Sequence, residues 1–106
     1  MYKNGGILIK KQIIKLNKKR HFLEFFDGLS QERLDLIWQI RKFKPNSIYE
    51  LASKVNKSQP YIQKELTFLH KKGLISLKKH KESGRIKMRP EVEYQILSFE
   101  MDFLTE

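Results

Sequence analysis

From Ser47 to Ile75 the chain reads SIYELASKVNKSQPYIQKELTFLHKKGLI, and this stretch leaves few folds open. Ser47 and Glu50 form a capping box: the Ser47 hydroxyl meets the Glu50 amide while the Glu50 carboxylate reaches back. The short helix that follows buries Ile48, Leu51, Ala52 and Val55. Asn56-Lys57 interrupts it and Ser58 caps the next helix, with Pro60 tolerated in the first turn because that position donates no intrahelical bond. Ile62, Leu66 and Leu69 point one way there, joined by Phe68. Gly73 supplies a left-handed stop, preceded by Lys71 and Lys72 at the negative helix end and followed by Leu74 as its apolar contact. Two capped helices separated by so short a break must meet at a tight corner.

The flanking signals extend this core. Ser30 is an N-cap, Glu32 sits in the first turn, and Leu34, Ile37, Trp38 and Ile40 make a wide apolar stripe, predicting a helix over about 31–43 that Lys44-Pro45-Asn46 ends. After Gly73, residues 74–79 and 85–89 alternate as two strands, with Ile75/Leu77 and Ile86/Met88 on one face, joined through HKESG with Gly84 in the turn. The N-terminal segment GGILIKKQIIKLNKKRHFLEFFDG has Ile9, Ile13 and Leu16 at helical spacing, continued by Phe22, Leu23, Phe25 and Phe26, and is expected to be mainly helical; Ile7, Ile9 and Ile13 also suit a strand face. Gly28 ends it. Beyond Glu91, Val92, Tyr94 and Ile96 alternate, then Leu97, Phe99, Met101 and Phe103 alternate on the opposite parity. A strand with a bulge explains the switch, and a helix from about Gln95 is equally compatible.

A chain of 106 residues holds one modest core. Its 22 basic residues against 12 acidic ones leave a net charge of +10. Lys78 to Arg89 contains six basic residues and one acid, whereas Glu91 to Glu106 carries five acids and no base. Such a field attracts polyanions. The absence of cysteine removes disulfides and thiolate metal sites and suits a reducing compartment. No apolar run is long enough for a signal peptide or a membrane span, so a cytoplasmic, nucleoid-associated protein is expected. His21, His70 and His80 lack ligand spacing, Ser58 and His70 are too far apart along one helix to form a nucleophile pair, and there is no phosphate-binding glycine loop. Neither an enzyme, a metal site nor a cofactor is expected.

Three helices followed by a basic hairpin is the order of a winged helix-turn-helix domain, a mainly α fold with a three-helix core and a small β wing. SIYELA, the run ending FLHKKGLI, and GRIKMRPEVEY together resemble a family of small bacterial and archaeal winged-helix regulators related to the MarR and ArsR groups, over about 29–96. The chain departs from that family at Lys57-Ser58-Gln59, where members carry an Arg-Asp-Tyr approach to the recognition helix. The resemblance implies a regulator that binds double-stranded DNA, in some members an antitoxin encoded beside a small toxin.

On the helix face away from Ile62, Leu66 and Leu69, the candidate base readers are Gln59, Tyr61, Gln63, Lys64 and Thr67. Glutamine pairs bidentately with an adenine edge, lysine prefers guanine or phosphate, and the threonine methyl meets thymine. Tyr61 suits packing beside the wing equally well. Candidate backbone contacts are Lys78, Lys79, Lys81, Arg85, Lys87 and Arg89 on the wing, with Lys54, Lys57 and Ser58 near the corner. The chain thus divides into an N-terminal extension over 1–28, a DNA-binding domain over 29–96 and an acidic-apolar segment over 97–106. The terminal segments are expected to serve a homodimer matching a palindromic site. Phe99, Met101 and Phe103, interleaved with Glu100, Asp102 and Glu106, suit a basic toxin partner or a strand completing the domain. A protein-interaction module with incidental charge is the alternative function, and a membrane-surface role for the basic N-terminal segment a weaker one.

Overall fold

The computed structural model describes residues 2–4 and 7–104, which form four helices and three two-stranded sheets. The order is β1 (Tyr2–Asn4), β2 (Ile7–Ile9), β3 (Lys11–Leu16), α1 (Lys19–Phe26), α2 (Gln31–Phe43), α3 (Ile48–Val55), α4 (Gln59–Lys71), β4 (Ser76–Glu82), β5 (Arg85–Glu91) and β6 (Ile96–Met101). The architecture is therefore a mixed α+β one, richer in strands than the mainly α fold expected. The chain folds as two compact units: Ser30–Val92, and the residues up to Leu29 together with those from Glu93 on.

In the central unit the local signals act where they stand in the chain. The Ser30 hydroxyl accepts from the Arg33 amide at 3.2 Å, the Ser47 hydroxyl from the Glu50 amide at 3.0 Å, and the Ser58 hydroxyl from the Tyr61 amide at 3.3 Å. Each side-chain oxygen thereby satisfies one amide that its helix leaves without an internal partner. The Glu50 carboxylate reaches back one residue further than a standard capping box, taking the Asn46 amide at 3.2 Å. Lys44 and Asn56 end α2 and α3 in the left-handed region, at φ 46° and 58°. Gly73, at φ 77°, ends α4 with a Schellman pair, Leu74 N–H to Leu69 C=O at 3.0 Å and Gly73 N–H to His70 C=O at 2.9 Å.

These stops turn one apolar face of each helix inward, but on α2 that face is not the expected stripe: Leu34 and Trp38 are exposed, and Leu36 is buried beside Ile40. Leu36 and Ile40 of α2, Leu51 and Ala52 of α3, Ile62, Leu66 and Leu69 of α4, and Leu74 and Ile75 beyond it are all buried. Each large side chain among them contributes on the order of 2 kcal/mol through burial. A partly buried ion pair, Arg33 Nε to Glu65 Oε2 at 2.5 Å, ties α2 to α4, and the Arg33 guanidinium lies 3.7 Å over the Phe68 ring.

The hairpin is longer than its sequence suggests. β4 and β5 pair antiparallel from Ser76↔Glu91 to Glu82↔Arg85, so only Ser83 and Gly84 remain as the loop, both with positive φ, 54° and 77°. That is the geometry of a two-residue type I′ turn, whose twist matches the strands. His80 Nε2 donates to the Asn46 carbonyl at 2.6 Å and so binds β4 to the α2–α3 connection. An Arg41 Nη1 bond to the Val92 carbonyl, at 3.3 Å, holds the far end of β5 to α2.

The terminal unit differs most from expectation. The segment read as mainly helical is strand over Lys11–Leu16 and helix only over Lys19–Phe26. β3 pairs in parallel with β6, Lys11↔Ile96 through Leu16↔Met101, which settles the C-terminal ambiguity as strand. Just before this pairing, Lys10 N–H donates to Gln95 Oε1 at 2.7 Å, Gln95 N–H to the Lys10 carbonyl at 2.8 Å, and Lys10 Nζ lies 3.1 Å from Glu93 Oε2. β1 and β2 form a separate antiparallel pair. Phe25, the buried residue of α1, meets Phe99 of β6 edge-on at a ring separation of 5.5 Å, with Phe26 completing the cluster. The expectations for residues 5, 6, 105 and 106, including Glu106 in the acidic tail, lie outside the described residues.

Candidate nucleic-acid interface

On α4, Gln59, Gln63 and Thr67 follow one another at four-residue spacing and form an exposed stripe beside the buried Ile62–Leu66–Leu69 face. Gln59 and Gln63 enter the wall of an open groove of about 590 Å³. Ser47, Ile48 and Tyr49, from the start of α3, form a second side, and Arg85, Lys87 and Met88 of β5 a third. The groove thus joins two expected readers to two expected wing cations.

The other expected readers stand apart from it. Thr67 continues the stripe, but its hydroxyl is committed to the Gln63 carbonyl at 2.8 Å, leaving its methyl as the group on offer. Lys64 is exposed and flanks the stripe. Tyr61 projects about 160° round the helix from Gln59. Its ring has the Lys57 ammonium 5.6 Å above it. Partial desolvation, then the nearby carboxylates of Glu65 and Glu32, hold the Tyr61 phenol above the usual tyrosine value. Tyr61 accordingly belongs to the side of α4 that meets α2, not to the groove.

The hairpin's six cations divide by strand alternation and by partner. Lys78, Arg85, Lys87 and Arg89 share one face with Glu82 and Glu91; Lys79 and Lys81 lie on the other. Glu91 stands between Lys78, at 3.4 Å, and Arg89, at 3.0 Å, and neutralises the base of the hairpin. Lys87 lies 3.5 Å from Glu82 in a pair open to water. Lys79, Lys81 and Arg85 have no ion pair among the described residues. The uncompensated positive charge is therefore concentrated toward the turn. Near the corner, Lys54 and Lys57 are exposed, and Ser58 acts as the cap of α4.

Phe99, Met101 and Phe103 all lie in the terminal unit. Phe99 is engaged by the α1 phenylalanines, whereas Met101 and Phe103 line an open apolar groove with Leu16, Phe22 and Leu23. The histidines serve the backbone where they are engaged: His70 Nδ1 bonds the Ile75 carbonyl at 3.2 Å and His80 bonds that of Asn46. Among the described residues no group of three or more His, Asp or Glu is placed to hold a metal ion, and no helix is long and apolar enough to cross a membrane.

A family model described as HVO_A0114 matches residues 28–98, two thirds of the chain and the whole of the central unit. The chain belongs to the HVO_A0114 family. The family span takes in every residue of the 590 Å³ groove and reaches the first residues of β6. No curated protein and no solved structure matches the chain.

Sequence reasoning did not single out Tyr49 or Met88 as groove residues. Tyr49 is 66% exposed in the opening IYELA of α3, and an aromatic side chain on the outer face of a first turn was the available signal. Met88 carried none, because strand alternation placed it only on the face of Ile86.

Proposed function

We propose that the chain is a winged helix-turn-helix protein that binds double-stranded DNA in a sequence-dependent manner and regulates transcription, working in the cytoplasm at the nucleoid. In this reading α2, α3 and α4 form the three-helix core, α4 is the recognition helix and β4–β5 the wing. The observation that carries it is the shared groove. Amide side chains able to read base edges, Gln59 and Gln63, lie across from Arg85 and Lys87, cations suited to the adjoining phosphates. The exposed Tyr49 extends the polar rim, and its hydroxyl is a further phosphate donor. The net charge of +10 adds the long-range attraction that such binding needs.

The test is fluorescence anisotropy with DNA from upstream of the protein's own gene against a scrambled duplex, over a salt series. Tighter binding to the upstream DNA, with affinity falling steeply as salt rises, is expected. Equal affinity for both duplexes at every salt concentration overturns the regulator reading.

A second reading has its own support. The apolar surface at Met101 and Phe103 suits protein interaction, and an antitoxin that also autoregulates its operon combines the two roles. Co-purification of the neighbouring gene's product from the native cell tests it, and recovery of the chain alone counts against it.

A further inference from the structure

The β4–β5 hairpin carries an apolar row that outruns the body it packs on. Leu77, Lys79 and Lys81 of β4 share one face with Ile86, Met88 and Pro90 of β5. Along β5 that face passes from Pro90, fully buried, through Met88, half-buried, to Ile86, 68% exposed. Ile86 pairs with Lys81 and is the last side chain on this face before the turn at Ser83 and Gly84. Lys79 and Lys81 stand beside the row on β4, and Arg85 precedes Ile86; none of the three has an ion pair among the described residues. Met88, Lys87 and Arg85 line the groove that holds Gln59 and Gln63, so Ile86 belongs to the strand that forms one wall of it. A single exposed isoleucine on a broad surface is ordinary. One at the tip of a tight turn, with unpaired cations on both sides, matches a partner that offers an apolar slot beside anionic groups. A duplex offers its stacked bases and a lipid surface its interior. The lipid surface is the poorer match, because even a whole myristoyl chain holds a protein there only marginally and one isoleucine is far smaller.

We propose that Ile86 is a wedge: with a duplex seated on Gln59 and Gln63, it enters the adjoining minor groove and partly unstacks one base step, while Lys79, Lys81 and Arg85 hold the phosphates on either side. The wedge rests on the DNA-binding reading above and adds a second source of sequence preference to it. Apolar side chains inserted in this way kink the duplex toward the major groove, and the cost is lowest at flexible pyrimidine–purine steps. The preferred duplex therefore carries a TA or CA step about half a helical turn, or about five base pairs, from the pairs read by α4. Base edges are read by the glutamines, and deformability is read by Ile86.

The test uses the full chain and the duplex it binds most tightly among those from upstream of its own gene. The duplex is labelled at both ends for energy transfer, and permanganate oxidation marks unstacked thymines. Wild type is expected to bend it by about 20–90° and to render thymine reactive at one step. Ile86→Ala is expected to bind about tenfold more weakly, with the bend and the reactive thymine lost and the salt slope unchanged, because no cation has been removed. Ile86→Thr, which keeps the branched shape that suits a strand, should behave as the alanine variant does, and Ile86→Leu should restore both signals. Circular dichroism checks that each variant is folded. Replacing the reactive step by a stiff A-tract should weaken wild type and leave Ile86→Ala unaffected. Sequence-dependent binding to a duplex that stays straight, or a bend retained by both Ile86→Ala and Ile86→Thr, overturns the wedge and leaves the DNA-binding reading standing. Equal binding to every duplex overturns both. Ile86-dependent sedimentation with phosphatidylglycerol vesicles, by a chain that leaves its duplex straight, assigns the tip to a lipid surface and likewise overturns the proposal.

Discussion

On the proposed DNA-binding reading, the partition of charge on the β4–β5 hairpin predicts which cations a duplex engages. A cation that neutralises one phosphate makes the logarithm of affinity fall by about 0.9 per decade of salt, which corresponds at about 0.1 M salt to roughly eightfold in affinity. Arg85, beside the turn and without an ion pair among the described residues, should deliver that full amount. Arg85→Ala is therefore expected to lower affinity about eightfold at 0.1 M salt and to flatten the salt slope by about 0.9, the difference vanishing near 1 M. Lys78 already lies 3.4 Å from Glu91, so Lys78→Ala should cost less than about twofold. Glu82→Gln should act in the opposite direction: it releases Lys87, now 3.5 Å from that carboxylate, steepening the slope and tightening binding up to about eightfold. Anisotropy titrations of the three variants between about 0.05 and 0.5 M salt read both quantities. Equal losses for Arg85→Ala and Lys78→Ala, or weaker binding by Glu82→Gln, would refute the claim that ion pairing within the hairpin decides which charges reach the duplex.

Other consequences can be measured separately. Gln63→Ala should leave the salt slope unchanged while reducing the preference for the cognate duplex by about 1–3 kcal/mol, read as the ratio of specific to scrambled affinity; an unchanged ratio removes Gln63 as a reader. Glu65→Ala leaves Arg33 without its carboxylate in a site where the two side chains are only 21% and 10% exposed. Because some water reaches the pair, the loss should be about 2–3 kcal/mol, somewhat below that for a fully buried one, and a urea midpoint equal to wild type would contradict it. At Gly84, φ 77°, a Cβ would meet nothing within 4 Å, so Gly84→Val tests backbone strain alone. A loss of about 1–2 kcal/mol is expected in thermal unfolding. Ser83→Asn, which creates the favoured Asn-Gly turn, should raise the unfolding temperature, and a fall would count against the type I′ assignment.

The central unit was legible because its determinants are local. Ser30, Ser47 and Ser58 announce three helix starts within a few residues of the amides they cap, and Gly73 with Leu74 announces a stop. Apolar spacing then assigns the buried faces of α3 and α4, where Leu51, Ile62, Leu66 and Leu69 are buried, but it misplaces that of α2, where Trp38 is 75% exposed and Leu36 is buried with Ile40. Legibility fell where a position had to be placed against a distant element. Tyr61 lies on the exposed arc of α4 in a helical projection, yet its environment is set by Glu32 and Glu65, one of them on another helix. HKESG reads as a five-residue connection because Lys81 and Glu82 have no local apolar signal; pairing with Ile86 and Arg85 makes them strand.

The same distinction explains the N-terminal segment. Ile9, Ile13 and Leu16 fit a helical stripe, but in β3 Ile13 and Leu16 lie on opposite faces, and the face that matters is Gln12, Ile14 and Leu16, in register with Leu97, Phe99 and Met101. The bonding partner of this strand lies some eighty residues further along the chain, so no window of local sequence contains the pairing. Residues that can satisfy either periodicity take the one their partner supplies, and a parallel pair obtains its partner only through a long crossover. It follows that sequence signals are strongest in the unit whose surface bears the candidate DNA groove and weakest in the unit built on the parallel β3–β6 pair. A segment whose structure depends on a distant strand therefore carries its determinant in the pairing, not in its own spacing.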